Sequence, residues 1–120
     1  MTLASHYFER LKELHTEIAD NFDMLNKMQS EADKQVSAIY HEIEKHDFDE
    51  SEGFQYAREL KDVLQRRRCI KSELVQLQPA HDLLRRHISE VEREYKRRVK
   101  KGEEVARSLN ATITIEAVLS

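Results

Sequence analysis

A strict alternation of four- and three-residue spacings limits the fold of this chain more than any other feature. It runs from Tyr56 to Tyr95, and only Arg67 and His81 among its members are polar. This is the heptad pattern of a coiled-coil seam, in which a narrow apolar strip of a long helix faces a partner helix. The twelve seam positions are Tyr56, Leu60, Val63, Arg67, Ile70, Leu74, Leu77, His81, Leu84, Ile88, Val91 and Tyr95.

A second apolar stripe precedes this seam and has the period of about 3.6 residues that is typical of a helix. Its members are Tyr7, Leu11, Leu14, Ile18, Phe22, Leu25, Met28, Ala32, Val36, Ile39 and Ile43. No glycine or proline interrupts the stripe, so we predict one helix over about residues 4–45. Asp49 and Glu52 have the spacing of a capping box, which predicts that a second helix begins near residue 50 and extends to about 107.

The fold class follows from these two helices. The chain has 120 residues but only two glycines and one proline, which is too little turn chemistry for an all-β fold. We predict an all-α protein: a long antiparallel helical hairpin, a coiled coil, over residues 1–107. Residues 108–120 form a C-terminal tail, for which a short strand and a short helix both remain open.

Pro79 leaves one alternative open. Proline in a helix interior removes a backbone donor and clashes with the preceding turn. Because the heptad phase continues through it, we expect a kinked but continuous second helix. The alternative is a three-helix bundle with helices near 4–45, 50–77 and 79–107.

The two halves of the chain carry opposite charge. Residues 1–56 contain 5 Lys/Arg and 13 Asp/Glu, whereas residues 57–120 contain 15 Lys/Arg and 10 Asp/Glu. In an antiparallel hairpin the acidic helix faces the basic one, which sets their pairing and orientation. A dense basic run in the second half could instead bind nucleic-acid phosphates. It consists of Lys96, Arg97, Arg98, Lys100 and Lys101.

Arg67 and His81 are candidates for fixing register or oligomeric state, because a polar residue in a seam often does so at a cost in stability. Arg67 could leave the buried place to Leu64 while its guanidinium reaches a carboxylate of the first helix. His81 lies one turn or less after Pro79, where exposure to solvent is an equal alternative.

No motif in the sequence points to catalysis, a metal or a cofactor. The best candidate cluster, His41, Glu42 and His46, is interpreted as a solvated helix end. Cys69 is the single cysteine and lies among basic residues, and we interpret it as a reduced, structural thiol. No apolar run approaches membrane-spanning length and no signal-peptide core is present, so we expect a cytoplasmic protein without a membrane partner.

The segment around the predicted turn has a characteristic order of residues. It reads Asp47-Phe48-Asp49-Glu50-Ser51-Glu52-Gly53-Phe54, then Tyr56-Ala57 and Leu60, then Arg66-Arg67-Arg68, Ile70-Lys71 and Glu73-Leu74. Over about residues 47–77 it resembles small helical proteins of Bacillus-type phages and prophages. The resemblance implies a phage accessory protein that acts in the host cytoplasm by binding a host or phage protein.

A helical hairpin offers a surface for partners and no pocket, so we expect a non-enzymatic coiled-coil protein–protein interaction module, such as a phage-encoded inhibitor or adaptor. Apolar residues off the seam predict a second stripe and hence a homodimer with a four-helix core. They are Phe8, Met24, Tyr40, Phe54, Leu64, Val75, Leu83 and Val99. The tail residues Ile113, Ile115, Val118 and Leu119 are candidate contacts to a protein partner. A nucleic-acid-binding protein and a structural or assembly scaffold are the alternatives.

Overall fold

The computed structural model describes residues 2–120 and contains three helices in this part of the chain. They are α1 (Leu3–Lys45), α2 (Glu50–Leu109) and α3 (Ile115–Leu119). The two long helices pack against each other as a hairpin, which confirms the all-α hairpin prediction. The chain divides into two compact units, Met1–Leu84 and Arg85–Ser120, which are described separately below.

The seam of α1 is shifted by one residue at three places from the predicted stripe. Eleven of its covered residues follow a strict heptad alternation: Phe8, Leu11, His15, Ile18, Phe22, Leu25, Gln29, Ala32, Val36, Ile39 and Ile43. Tyr7, Leu14 and Met28, which the stripe included, are exposed. Phe8, which we expected to face outward, is instead buried. The polar residues His15 and Gln29 occupy seam positions, so a search for apolar types alone selects their neighbours.

The seam of α2 is the one that the heptad pattern predicts. Eleven of its twelve positions are partly or fully covered, and Leu74 is the buried residue of this helix. The exception is Val91, which is exposed. The alternating spacing of four and three residues therefore identifies the packed face of α2 correctly.

The connection between α1 and α2 is short and capped. Asp49 accepts a hydrogen bond at Oδ1 from the backbone N–H of Glu52 (2.8 Å), which satisfies one free donor at the start of α2 as predicted. The ring of Phe48 packs edge-on against Tyr56, with centroids 5.5 Å apart. Gly53 leaves room for that ring, because a Cβ at this position would lie 3.2 Å from Phe48 Cε2. The turn is therefore held by a small aromatic cluster as well as by the cap.

Helix α2 runs through Pro79 without interruption, which excludes the alternative with separate helices 50–77 and 79–107. The proline ring removes the donor that would bond the carbonyl of Val75. Both Pro79 and Val75 are exposed, so water can bind this carbonyl. The cost of proline is reduced by its place on the outer face of the helix.

Of the two alternatives for the C-terminal tail, a short strand and a short helix, the structure shows a short helix over Ile115–Leu119. Asn110 adopts a left-handed backbone conformation (φ 53°) directly after α2, and an asparagine tolerates this conformation better than most residues. Thr114 then caps α3 by accepting a hydrogen bond from the backbone N–H of Ala117 (3.3 Å). The alternating Thr and Ile residues therefore supply a helix cap and a helix start, and not a strand.

Candidate functional site

Arg67 bridges the two helices from its seam position. Its Nε lies 2.6 Å from Oδ1 of Asp33 on α1, so the guanidinium reaches a carboxylate of the first helix. Leu64 is partly covered beside it. The two charged side chains are 41% and 51% exposed, so this is a surface ion pair that spans the edge of the seam.

His81 faces α1 from its seam position and does not face solvent. Its side chain is only 12% exposed. The imidazole stacks on the ring of Phe22 from α1, with centroids 4.0 Å apart and ring planes 12° apart. Nδ1 lies 3.3 Å from Oδ1 of Asp82. Solvent exposure was therefore the wrong alternative, because a flat aromatic ring on α1 offers the imidazole a partner for its face.

A groove runs along one side of the hairpin within the first unit. Met24 and Met28 of α1 line this groove and are about half exposed, at 50% and 44%. The lining consists of Met24, Lys27, Met28, Glu31, Ala32, Gln35, Arg66 and Ile70. The exposed Tyr7 and Leu14 continue the same side of α1, because residues 7, 14 and 28 all immediately precede the covered seam positions 8, 15 and 29. We call this surface the groove side. It consists of the exposed residues Tyr7, Leu14 and Met28 together with the lining of the groove.

From the sequence, Met24 was predicted to lie off the seam, but the groove side was not predicted. The other off-seam residues do not gather into one stripe with it. Leu64 and Val99 are partly covered, while Tyr40, Phe54, Val75 and Leu83 are exposed at other positions. The correct heptad phase of α1, starting from Phe8, is the signal that identifies the groove side.

The basic run lies on α2 in the second unit and is partly neutralised there. Lys96 Nζ lies 3.2 Å from Glu92 Oε1, and Arg97 Nη2 lies 2.6 Å from Glu94 Oε2. Arg98 Nε lies 3.6 Å from the same Glu94 oxygen. Lys100 and Lys101 have no ion-pair partner among residues 2–120.

The second unit also exposes apolar residues beside this run. An open groove on α2 is lined by Arg97, Arg98, Lys101, Gly102 and Val105. Past Tyr95 the heptad phase of the seam continues through Arg98, Gly102, Val105 and Leu109, and all four are exposed.

The four tail residues predicted to contact a partner are all exposed: Ile113, Ile115, Val118 and Leu119. Ile115, Val118 and Leu119 follow the i, i+3, i+4 spacing, so they share one face of α3. Ile113 directly precedes the N-cap Thr114, at the position from which an apolar residue packs against the first turn.

Two further sequence features lie apart from these surfaces. His41, Glu42 and His46 are exposed at the end of α1, and no group of three or more His, Cys, Asp or Glu residues within 2–120 is arranged to hold a metal ion. Cys69 is a free, exposed thiol on α2. None of these residues contributes to the grooves or to the tail.

Acidic side chains surround Tyr56 near the turn. Its pKa is raised above the ordinary value, first by partial burial and then by the negative charges of Glu42, Glu52 and Glu59. The phenol is therefore neutral over a wider pH range than a free tyrosine.

No helix within residues 2–120 combines the length and apolar character needed to cross a membrane. Comparisons of the chain with protein-family models, with curated proteins and with solved structures found no match.

Proposed function

We propose that this protein is a non-enzymatic interaction module, a self-associating helical hairpin whose C-terminal tail binds a protein partner. The observation that carries the proposal is the exposure of the tail's apolar side chains. Leu109 and Leu119 are 75% and 72% exposed, and Ile113 and Val118 are similarly open. Apolar side chains gathered in one short segment are typical of a segment that docks into a groove on another protein.

The form of α3 supports a docking role. Helices much shorter than about 12 residues are marginal in water on their own, because nucleation costs more than a few hydrogen bonds return. This five-residue helix begins with a Thr114 cap and presents Ile115, Val118 and Leu119 on one face. A groove on the partner that covers this face would supply the missing stabilisation.

The partner's chemistry follows from the second unit. The exposed apolar tail lies in the same unit as Lys100 and Lys101, which have no ion-pair partner among the described residues. A partner with an apolar groove and an acidic rim would complement both features. The resemblance of residues 47–77 to phage proteins supports a phage-encoded inhibitor or adaptor that acts on a host or phage protein in the host cytoplasm.

The test is capture from a Bacillus-type host lysate by the immobilised full chain, followed by mass spectrometry. The double variant Val118→Ala and Leu119→Ala removes apolar contacts while retaining a residue with high helix propensity. We expect it to lose a protein that the wild type retains. With that protein purified, calorimetry should give a dissociation constant at least about tenfold weaker for the double variant.

The matched control is Thr112→Ala, an exposed tail residue outside α3. It should capture the same protein with unchanged affinity. Equal capture by the wild type and by the double variant would remove the tail from the proposal.

A second candidate is nucleic-acid binding, which is favoured by Lys100 and Lys101, without an ion-pair partner within residues 2–120, beside the open groove of Arg97 and Arg98. It predicts binding to DNA or RNA that weakens steeply with ionic strength. Replacing Arg97, Arg98, Lys100 and Lys101 by Gln should abolish that binding. The pairing of both arginines with Glu94 makes this candidate the weaker one, because their charge is already partly neutralised.

A further inference from the structure

We infer that the groove around Met28, within the groove side of the first unit, is the centre of a homodimer interface, where it is covered by the same groove of a second copy of this chain. The inference deepens the proposed self-association and depends on it, because it names the surface and the symmetry. A two-fold axis close to Met28 would bring the groove of each copy onto that of the other.

The hairpin buries few apolar side chains. Among residues 2–120 only Phe8, Ala32, Ile39 and Leu74 are buried apolar residues, and no large side chain is fully buried. A two-helix seam of this kind leaves a thin core. Met24 and Met28 are about half exposed beside it, and Met side chains adapt well to an apolar partner surface.

The charges beside Met28 favour a second copy of this chain as the occupant of the groove. Lys27 and Glu31 flank Met28 in the lining of the groove. Within residues 2–120 neither of them forms an ion pair, although they lie four residues apart on one helix. Lysine preceding glutamate is the less favourable order for a pair within a helix.

A two-fold axis supplies both charges with partners. If the axis crosses α1 level with the turn between Lys27 and Glu31, Lys27 of each copy meets Glu31 of the other. Each contact is thereby formed twice, with Met28 of each copy between the two pairs. Opposite charges placed evenly about an apolar centre are self-complementary, as an isologous interface requires.

The opposite side of the hairpin is a poor candidate for the same role. Arg67 and Asp33 already pair across the edge of the seam there. Asn26 donates from Nδ2 to the carbonyl oxygen of Phe22, and the neighbouring Ser30 and Ser37 are exposed. Between Asn26 and Ser37 that side exposes mainly polar residues, so the second copy is expected on the groove side.

The inference is tested by charge reversal and mixing, with the oligomeric state of the full chain measured by sedimentation velocity. Lys27→Glu alone places two acidic residues opposite two acidic residues, and Glu31→Lys alone places basic opposite basic. Because symmetry doubles each change, we expect the dimer dissociation constant to rise about tenfold or more in each variant. An equimolar mixture of the two variants restores opposite charges at both contacts, so it should dimerise within about threefold of the wild-type affinity.

Rescue by mixing cannot come from pairing within one helix, because neither variant carries opposite charges at both positions. A second pair of variants tests the apolar centre: Met28→Gln should weaken the dimer, while Tyr40→Gln, at an exposed residue of α1 away from the groove, should not. Circular dichroism checks that each variant remains helical.

A wild-type chain that stays monomeric at high micromolar concentration would overturn the inference. So would a mixture that dimerises no better than its components, or a Met28→Gln variant that dimerises like the wild type. Capture of a partner through the tail does not depend on any of these results, so failure of the dimer and failure of partner binding can be told apart.

Discussion

The imidazole of His81 on α2 lies flat against the ring of Phe22 on α1, with centroids 4.0 Å apart and planes 12° apart. One heptad closer to the turn, the corresponding positions are held by Leu74 and Gln29. The ring of Phe22 therefore meets the polar ring of His81 in one layer, whereas the aliphatic Leu74 takes the place of His81 in the next layer. These two layers therefore differ in shape, which disfavours a slip by one heptad.

Phe22→Ala should therefore lower the free energy of unfolding by about 2–3 kcal/mol, because it removes the stacking partner of His81 and leaves a gap in the seam. The matched control is Phe54→Ala, the same truncation at an exposed residue of α2, which should change stability by less than about 0.5 kcal/mol. Urea denaturation at one fixed protein concentration measures both. Equal losses for the two variants would contradict a structural role for the stack.

The ion pair between Arg67 and Asp33 should contribute little to stability. Both side chains are about half exposed, so water and salt screen their attraction. A double-mutant cycle with Arg67→Gln and Asp33→Asn should give a coupling energy of about 0.5–1 kcal/mol that declines as salt is added. A coupling that is large and independent of salt would mean that the pair is shielded from solvent to a degree that its exposure does not suggest.

The phenol of Tyr56 provides a pH-dependent prediction. Partial burial, followed by the charges of Glu42, Glu52 and Glu59, raises its pKa above the ordinary value of 10.0. Folding thus favours the neutral phenol. The stabilising contribution is complete below the ordinary pKa and is lost as the pH rises through the higher pKa of the folded state.

Ultraviolet titration of the wild type, compared with the Tyr56→Phe variant, isolates the ionisation of this one phenol. Its midpoint should lie above 10.0 and move back toward that value in Glu42→Gln, since this substitution removes one negative charge. A control substitution of a distant carboxylate, Glu13→Gln, should leave the midpoint unchanged. A midpoint at or below the ordinary value would contradict the effect of the acidic surroundings.

The fold could be predicted from the sequence because its signals are local. The seam of α2 combines correct apolar types with unbroken spacing, and Asp49 marks its start by a cap that needs only neighbouring residues. The phase of α1 is harder to assign because His15 and Gln29 are polar seam residues with apolar neighbours, Leu14 and Met28. In each case the more apolar neighbour is the exposed one.

The candidate interfaces depend on information that no single segment contains. The groove is formed when Ile70 and Arg66 of α2 come beside Met28 of α1, which requires the register of the hairpin. The proposed pairing of Lys27 with Glu31 of a second copy can be recognised only when the phase of α1 is known. The exposure of the tail, by contrast, follows from residues that were already singled out by their apolar character.

Pro79 is the position at which the sequence and the helix conflict most directly. Helix α2 continues through it, although the ring removes one backbone hydrogen bond and crowds the preceding turn. Pro79→Ala should therefore raise the free energy of unfolding, by at most about 3 kcal/mol, because the hydrogen bond to the carbonyl of Val75 is restored. The gain is reduced by the greater freedom of the unfolded chain without proline.

The comparison is with Gln78→Ala, an exposed neighbour in the same turn, which should change stability by less than about 0.5 kcal/mol. Thermal and urea unfolding, followed by circular dichroism at a fixed protein concentration, measure both variants. Stabilisation by Pro79→Ala with unchanged self-association would mean that the proline is only tolerated on the outer face of α2. Destabilisation by more than the roughly 1 kcal/mol for which the freer unfolded chain can account, or loss of the proposed dimer, would instead mean that the packing of α2 requires the proline at this position.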